Sequence, residues 1–291
     1  MSPATAHRSL MDVHPRELKQ FVKELPTLPV VFQELFSRMQ DPDAQVSELA
    51  DVIARDQALT SKILKLVNSA FYGHSQQITT ISRAVIIMGF QAVRSAALAV
   101  SVFERFKDLR DTSELFSLED FWRHSIGVSC LAKQLSLVLH RCEPEEAFVA
   151  GLLHDVGKLI VDDFLDPAPG KRTVSLAEEE EAVGMNHAEV AEYLLEQWRL
   201  PEAIVQSIHN HHLPLSQAGV EPGARVIQMA QALVETWRIG HGEPIDLSPD
   251  FEPRQHRRLM EAVGLGESKI PQLVWDVRQH LAGIEKLYGE D

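Results

Sequence analysis

The chain has 291 residues, of which 45% are apolar, and it carries a formal net charge of −14 at pH 7. A chain of this size and composition can bury a substantial core, which excludes disorder as its main state. The negative charge repels phosphate backbones and acidic lipid surfaces, so neither nucleic acid nor a membrane surface is an expected partner.

The first third of the chain has the apolar spacing of short helices. Pro26 and Pro29 precede a helix predicted from about Val30. Gly73 closes a later helical unit, and Gly89 separates two apolar helices. Apolar residues recur three and four positions apart at Val46, Leu49, Val52, Ile53, Leu59, Ile63, Leu66 and Val67. Because strict alternation is scarce, the pattern predicts an all-α fold.

The sequence indicates neither a membrane span nor a disulfide framework. The longest apolar run, Ser95–Phe103, is far below the roughly 20 residues that a spanning helix needs. Residues 1–15 lack the apolar core of a signal peptide. Cys130 and Cys142 show no paired metal spacing and are predicted to be plain thiols in a reducing compartment. These features predict a cytoplasmic protein.

The second half of the chain continues as helices between polar breaks. Helices are predicted over Phe121–Leu139 and Arg225–Val234, and loops over Asp166–Arg172 and Leu213–Gly223. The acidic run Glu178–Glu181 fits a solvated helix start, with metal binding as a distant alternative. Amphipathic helices are predicted in the tail, with the following residues inward: Leu259, Val263, Leu273, Val274, Val277 and Leu281.

Polar residues suited to metal binding fall at the ends of the predicted helices. They are His124, His154, Asp155, His187, His209, His211 and His212. Imidazole nitrogen and carboxylate oxygen are ligands for Zn, Mn or Fe, and several helices of a bundle can supply them. Because adjacent helical residues diverge by about 100°, His154 and Asp155 reach one cavity only where their helix ends. Gly157 stands in the position to break that helix.

Each candidate also has a plainer interpretation. For His154 and Asp155 a site is preferred, because an apolar helix has little other reason to end in both. For His209, a partly buried polar role and metal ligation are equally open. The remaining histidines are assigned surface or capping roles. Asn68 and Tyr72 could form a binding surface, although hydrogen bonding to local backbone groups is preferred for Asn68.

Two segments resemble a known superfamily. Leu152–Lys158, with the sequence LLHDVGK, resembles the signature of the HD superfamily of metal-dependent phosphohydrolases, and Ile208–His212, IHNHH, resembles the paired-histidine segment of its HD-GYP branch. Upstream landmarks resemble the HDOD domain over residues 20–215, and Asn68–Gly73, NSAFYG, is the most specific of them. The others are LPTLP at 25–29, IARDQALT at 53–60, ISRAVIIMG at 81–89 and LEQWRLP at 195–201. Gln57 stands where the family usually has proline.

The resemblance implies a multi-helix bundle in two parts. An N-terminal helical subdomain at residues 20–115 packs on an HD-like helical domain at residues 116–240, flanked by an extension at 1–19 and a helical tail at 241–291. The resemblance also implies one or two divalent transition-metal ions, Fe, Mn or Zn. Carried over residue by residue, the ligands are His124, His154, Asp155, His187 and one or both of His211 and His212.

The chain departs from the superfamily at the last metal-binding aspartate. The resemblance places Gln231 there, in a helix with no Asp or Glu before Glu235. A hydrolytic dinuclear site needs enough carboxylate to neutralise two divalent cations. The departure therefore favours a non-hydrolytic regulatory module in bacterial signal transduction. Its implied partners are proteins of a two-component or cyclic-di-GMP pathway, or a nucleotide-like ligand.

Two other functions stay open from the sequence. The first is a metal-dependent phosphohydrolase acting on a nucleotide or cyclic dinucleotide, in which Lys158 neutralises phosphate charge. For Lys158, solvation or capping of the helix end is the stronger interpretation. The second is a dimerisation scaffold, a homodimer with a vestigial site. The effect of metal ions on thermal stability distinguishes the scaffold from a metal-binding module.

Overall fold

The computed structural model describes residues 46–68, 77–106, 117–162, 174–236, 264–269 and 271–273, together with residues 34, 165, 260 and 261. These residues form eleven α-helices and one short 3₁₀ helix, and no strand occurs among them. The predicted all-α fold is therefore confirmed for this part of the chain.

The eleven helices contain most of the described residues. In chain order they are α1 (Val46–Ala54), α2 (Gln57–Val67), α3 (Ile81–Met88), α4 (Phe90–Phe106), α5 (Leu118–Leu139), α6 (Pro144–Leu153), α7 (Lys158–Val161), α8 (Leu176–Val183), α9 (His187–Gln197), α10 (Glu202–His209) and α11 (Pro222–Thr236). The 3₁₀ helix is Glu267–Lys269. Gly89, with a φ of 85°, separates α3 from α4 as predicted.

Local capping explains where the longer helices begin. The Ser117 hydroxyl accepts a hydrogen bond from the Asp120 amide at 3.0 Å, so α5 begins three residues before the predicted start at Phe121. Helix α11 begins with Pro222, whose fixed φ suits the first helical position. It ends at Thr236, two residues past the predicted Val234. Both helices are therefore longer than their apolar pattern indicates.

The helices bury one continuous apolar core. Helix α1 packs against α2 and α3, both of which pack against α4. Helix α4 also contacts α6, which joins this first group to α5, α10 and α11. The long helix α5 packs along α6 and α11, and Leu131 and Leu153 are fully buried between these elements. This second group carries the histidines, so its packing positions the candidate site.

Several predictions concern residues outside the described ones. They are the helix from Val30, the closure at Gly73, the loop Asp166–Arg172, the N-terminal extension and most of the tail. The subdomain boundaries near residues 115 and 240 stay predictions for the same reason. In the tail, Leu273 is buried as predicted, and the Lys269 ammonium donates to the Val138 carbonyl of α5 at 3.3 Å. The described helices include none with the length and apolar character of a membrane span.

Candidate metal centre

Close packing between α5 and α6 brings His124 towards His154 and Asp155. A methyl group on Gly151 would lie 2.8 Å from the Cα of Ser129, so glycine is required where α6 crosses α5. Helix α6 ends at Leu153, and the next two residues are buried. Across the crossing, the Nε2 atom of His124 lies 3.7 Å from Asp155 Oδ2.

A backbone hydrogen bond fixes the ring of His154. Its Nδ1 atom lies 2.8 Å from the Gly151 carbonyl oxygen. Because a carbonyl oxygen can only accept, Nδ1 carries the proton and Nε2 keeps its lone pair in the neutral ring. This Nε2 is fully buried, has no hydrogen-bond partner and lies 3.3 Å from Asp155 Oδ2. A buried lone pair of this kind fits a metal ligand.

Gly157 has a different role from the predicted one. We expected it to break the helix, but its φ of −63° and ψ of −28° are ordinary helical values, and α6 has already ended at Leu153. A methyl group on Gly157 would instead lie 2.8 Å from the carbonyl carbon of His187. Glycine is needed at this position because the first turn of α9 packs directly against its backbone. This contact brings His187 close to Asp155.

The start of α9 is fixed by a capping box. The Asn186 side chain accepts from the amides of Ala188 and Glu189, while the Glu189 carboxylate accepts from the Asn186 amide at 2.9 Å. His187 is therefore the first residue of the helix. Its side chain is buried, and its Nε2 lies 3.2 Å from Asp155 Oδ1 and 3.0 Å from His212 Nε2.

Glu179 is a site residue that the sequence analysis missed. The acidic run Glu178–Glu181 was predicted to be solvated, yet Glu179 is only 2% exposed. Its carboxylate accepts from the His187 amide at 2.7 Å and from His187 Nδ1 at 2.8 Å. This carboxylate orients the imidazole and holds its proton on Nδ1. The available signal was helical spacing, because Glu179 lies four residues before the buried Val183 of the same helix.

Arg225 is a second residue that the sequence did not reveal. The residue as a whole is 9% exposed, and its guanidinium donates to the carbonyl oxygens of Leu213 and Pro214, both at 2.8 Å, and of Gln217 at 3.1 Å. These carbonyls directly follow His211 and His212 in the chain. Arg225 therefore fixes the segment after α10 on α11. No sequence pattern could show this, because the acceptors are backbone atoms.

His211 and His212 complete the cluster from the end of α10. His211 Nδ1 donates to the Ile208 carbonyl oxygen, which leaves a buried Nε2 atom without a hydrogen-bond partner, 4.0 Å from Asp155 Oδ1. Burial, followed by the charges of nearby histidines, holds the pKa of His211 well below its usual value. Burial, followed by the charge of His187, lowers the pKa of His212 to about 3. Both rings are therefore neutral and keep a lone pair at neutral pH.

The charges around Asp155 keep it ionised. Burial alone would raise the pKa of Asp155, but the positive charge of His154, when that ring is protonated, and of Lys158 outweighs it and holds the pKa well below its usual value. Burial would also lower the pKa of His187, whereas the facing carboxylates of Asp155 and Glu179 produce a net rise. The centre thus combines a buried carboxylate with several imidazoles.

All six predicted ligands come together in two groups that share Asp155. The first group is Asp155, His187, His211 and His212, and the second is His124, His154 and Asp155. Ligand atoms about 2.1 Å from a tetrahedral zinc ion lie about 3.4 Å apart. The individual distances given above, from 3.0 to 4.0 Å, bracket that value, and all ligand atoms of a group lie within 4.8 Å of one another. Together with the unpartnered Nε2 atoms of His154 and His211, this spacing fits divalent transition metals.

The three remaining candidates from the sequence have different surroundings. Lys158 is part of the centre, since its ammonium is 2.7 Å from Asp155 Oδ2. His209 belongs to neither group, and its Nδ1 atom lies 2.9 Å from the Glu192 carboxylate. Gln231 of α11 donates its side-chain amide to Glu235 at 3.1 Å, on an exposed part of the helix.

The helical bundle and its histidine-rich centre define the class of the protein, an HD-like helical fold. The chain belongs to the HDOD domain family, whose model matches residues 25–214. This range agrees with the resemblance predicted over residues 20–215.

Solved structures share this fold. An HDOD domain protein of unknown function from Geobacter sulfurreducens is 25% identical with a TM-score of 0.72, covering 94% of this chain and 96% of that one. A protein from Shewanella amazonensis, provisionally named a phosphohydrolase, is 24% identical with a TM-score of 0.73, covering 93% of this chain and 97% of that one. At this identity the second likeness shows the fold alone.

The chain is also similar to part of an uncharacterized protein from Treponema pallidum. The two are 24% identical over 223 residues, which are 73% of this chain and 42% of that protein. The chain therefore spans less than half the length of this relative, and the relative's name assigns no function to the shared part.

Proposed function

We propose that the chain is a non-hydrolytic regulatory module of a bacterial signalling pathway, whose centre holds one divalent transition-metal ion in the four-ligand group Asp155, His187, His211 and His212. The observation that carries this proposal is the scarcity of carboxylate. Among the described residues, Asp155 is the sole acidic member of both groups. The resemblance places Gln231 at the last aspartate of the superfamily, and its side-chain amide donates to Glu235.

Charge balance favours one ion over two. Two divalent ions bring four positive charges, and two-metal hydrolytic sites hold their ions about 3.5 to 4 Å apart. Here the shared carboxylate of Asp155 supplies a single negative charge, and Glu179 is engaged with His187. Three imidazoles and one carboxylate suit a single Zn, Fe or Mn ion. Such an ion, when bound, acts as a Lewis acid and ties together α6, α9 and the segment after α10.

A signalling role is compatible with a metal centre that catalyses no reaction. A protein from Marinobacter aquaeolei, provisionally named a signal transduction protein, has the same fold, with 20% identity and a TM-score of 0.69. We propose that the bundle presents a surface to a protein of a two-component or cyclic-di-GMP pathway, or binds a nucleotide-like ligand, in the cytoplasm. The net charge of −14 excludes nucleic acid as the preferred partner.

Metal-dependent phosphohydrolysis is the competing function. Two observations favour it. Both ligand groups are present around Asp155, and the Lys158 ammonium lies beside the Asp155 carboxylate. In that reaction His187, His211 and Asp155 would bind metal, and Lys158 would neutralise a substrate phosphate. Both functions need the same residues, so metal content and turnover must be measured together.

The test is elemental mass spectrometry of the full chain purified without chelator, beside a panel of phosphoesters and cyclic dinucleotides supplied with Mn, Fe or Zn. We expect one ion per chain and no turnover. His187→Ala should lose the ion, whereas His124→Ala and the control His209→Ala should retain it, because His209 pairs with Glu192 outside both groups. Two ions per chain, with turnover abolished by His154→Ala and Asp155→Ala, would instead establish the hydrolase.

A further inference from the structure

The two oxygens of Asp155 face different ligand groups. Oδ1 lies 3.2 Å from His187 Nε2 and 4.0 Å from His211 Nε2, in the four-ligand group. Oδ2 lies 3.3 Å from His154 Nε2 and 3.7 Å from His124 Nε2, in the three-ligand group. The carboxylate therefore divides the centre into two halves.

Lys158 lies in only one of these halves. Its Nζ atom is 2.7 Å from Asp155 Oδ2, the oxygen that faces His124 and His154. The backbone holds the lysine in place as well, because the Lys158 amide donates to the Asp155 carbonyl oxygen at 2.8 Å. Asp155 is almost fully buried, while 30% of the lysine side chain remains exposed. The ammonium thus approaches Asp155 from the solvent side of the three-ligand group.

This arrangement opposes the binding of a second cation. A divalent ion bound by His124, His154 and Oδ2 would lie within a few ångströms of the ammonium, where the repulsion between like charges is strong in a buried site. The single negative charge of Asp155 is also balanced by Lys158 on this side. No lysine or arginine among the described residues bonds to Oδ1, so the four-ligand group lacks this opposition.

We infer that Lys158 is an internal cation that takes the electrostatic place of a second metal ion and limits the centre to one. The inference rests on the proposed function, in which the four-ligand group holds the first ion. It assigns to Lys158 a role in metal stoichiometry, distinct from contact with a substrate phosphate.

The experiment counts bound ions in variants of the full chain. Each protein is equilibrated with excess Zn²⁺, freed of unbound metal and analysed by elemental mass spectrometry, and a parallel Mn²⁺ sample is examined by electron paramagnetic resonance for coupling between two ions. Lys158→Gln and Lys158→Met remove the charge, and Lys158→Arg keeps it. Lys65→Gln removes one positive charge from an exposed position on α2. Circular dichroism confirms that each variant is folded.

We expect one ion in the wild type, Lys158→Arg and Lys65→Gln, and two ions with coupled Mn²⁺ signals in Lys158→Gln and Lys158→Met. Adding His124→Ala to Lys158→Gln should return the count to one. The count in the wild type alone decides the proposed one-ion function. The difference between Lys158→Gln and the wild type decides this inference, so equal counts in the two proteins, whatever their value, overturn it.

Discussion

Glu179 fixes the tautomer and the orientation of His187 through two short hydrogen bonds. Its carboxylate accepts hydrogen bonds from the backbone amide and from Nδ1–H of His187, so the imidazole presents Nε2 to the cluster. A carboxylate in this position also makes the imidazole a stronger metal ligand. Because Glu179 is buried and bonds to His187 without itself belonging to a ligand group, its effect on metal binding is indirect.

Replacing Glu179 by glutamine should weaken metal binding. If the amide oxygen stays on the His187 backbone amide, the NH₂ group faces Nδ1 and favours the tautomer with its proton on Nε2, where the metal would bind. We expect Glu179→Gln to lower Zn²⁺ affinity by about 10- to 100-fold, measured by calorimetric titration. Glu181→Gln, the same change at an exposed position of α8, is the control. Equal affinities for the two variants would show that Glu179 only stabilises the fold.

At the scale of the helices, the close approach of Gly157 to the first turn of α9 positions His187. A methyl group at Gly157 would collide with the backbone carbonyl of His187, which cannot move aside as the end of a flexible side chain could. Gly157→Ala should therefore displace α9 from Asp155 and destabilise the fold by about 2 kcal/mol, the usual cost of overpacking. Denaturant unfolding should show the lower free energy of unfolding, and Zn²⁺ titration should show a lower metal affinity. Gly266→Ala is the control, because a methyl group there meets nothing closer than 3.9 Å.

The segment that carries His211 and His212 depends on α11. The planar guanidinium of Arg225 reaches three carbonyl oxygens with two nitrogens, which the single ammonium of lysine cannot reproduce. Arg225→Lys should lower the free energy of unfolding by about 2 kcal/mol, because charge-assisted hydrogen bonds to the carbonyl oxygens are lost. It should also weaken metal binding. A variant that is destabilised but binds Zn²⁺ normally would show that the segment keeps its place without the arginine.

The sequence predicts the helices better than the contacts between them. The apolar spacing of α5 and α11 indicates both helices, and the positions of His154 and Asp155 at the end of α6 follow from the same pattern. The burial of Glu179 has one sequence signal, its four-residue spacing to the buried Val183, but the other three residues of its acidic run are exposed and tertiary packing selects which one is buried. The role of Gly157 was missed for a related reason, because a close approach between two helices leaves no local pattern.

At the scale of the whole molecule, the two thiols differ in their access to solvent. Burial raises the pKa of Cys130 to about 12, and the side chain is fully enclosed by the core. Burial also raises the pKa of Cys142, which is only partly enclosed. Because the thiolate is the reactive form, iodoacetamide at pH 8 should label Cys142 slowly and Cys130 only after global unfolding. Mass spectrometry of Cys142→Ser, with its single thiol, tests this, and rapid labelling of that variant would show that the core around α5 opens locally.

Metal binding should stabilise the entire bundle, because the ligands join segments far apart in the chain. His187 begins α9, His211 follows α10 and Asp155 follows α6, so an unfolded chain does not preform the site. An ion at about 100 times its dissociation constant adds about 2.7 kcal/mol to the free energy of unfolding if it binds only the folded state. For a chain of this size we expect the melting temperature to rise by about 4 to 5 °C with Zn²⁺.

The variants separate this effect from general metal binding to surface histidines. His209→Ala should show the full rise in melting temperature, since His209 lies outside both groups. His187→Ala and His211→Ala should show little or none. If Zn²⁺, Mn²⁺ and Fe²⁺ all leave the melting temperature of the wild type unchanged, the cluster is a vestige. The buried and unpartnered nitrogens of His154 and His211 would then cost stability, and replacing them with apolar residues of similar size should raise the melting temperature instead.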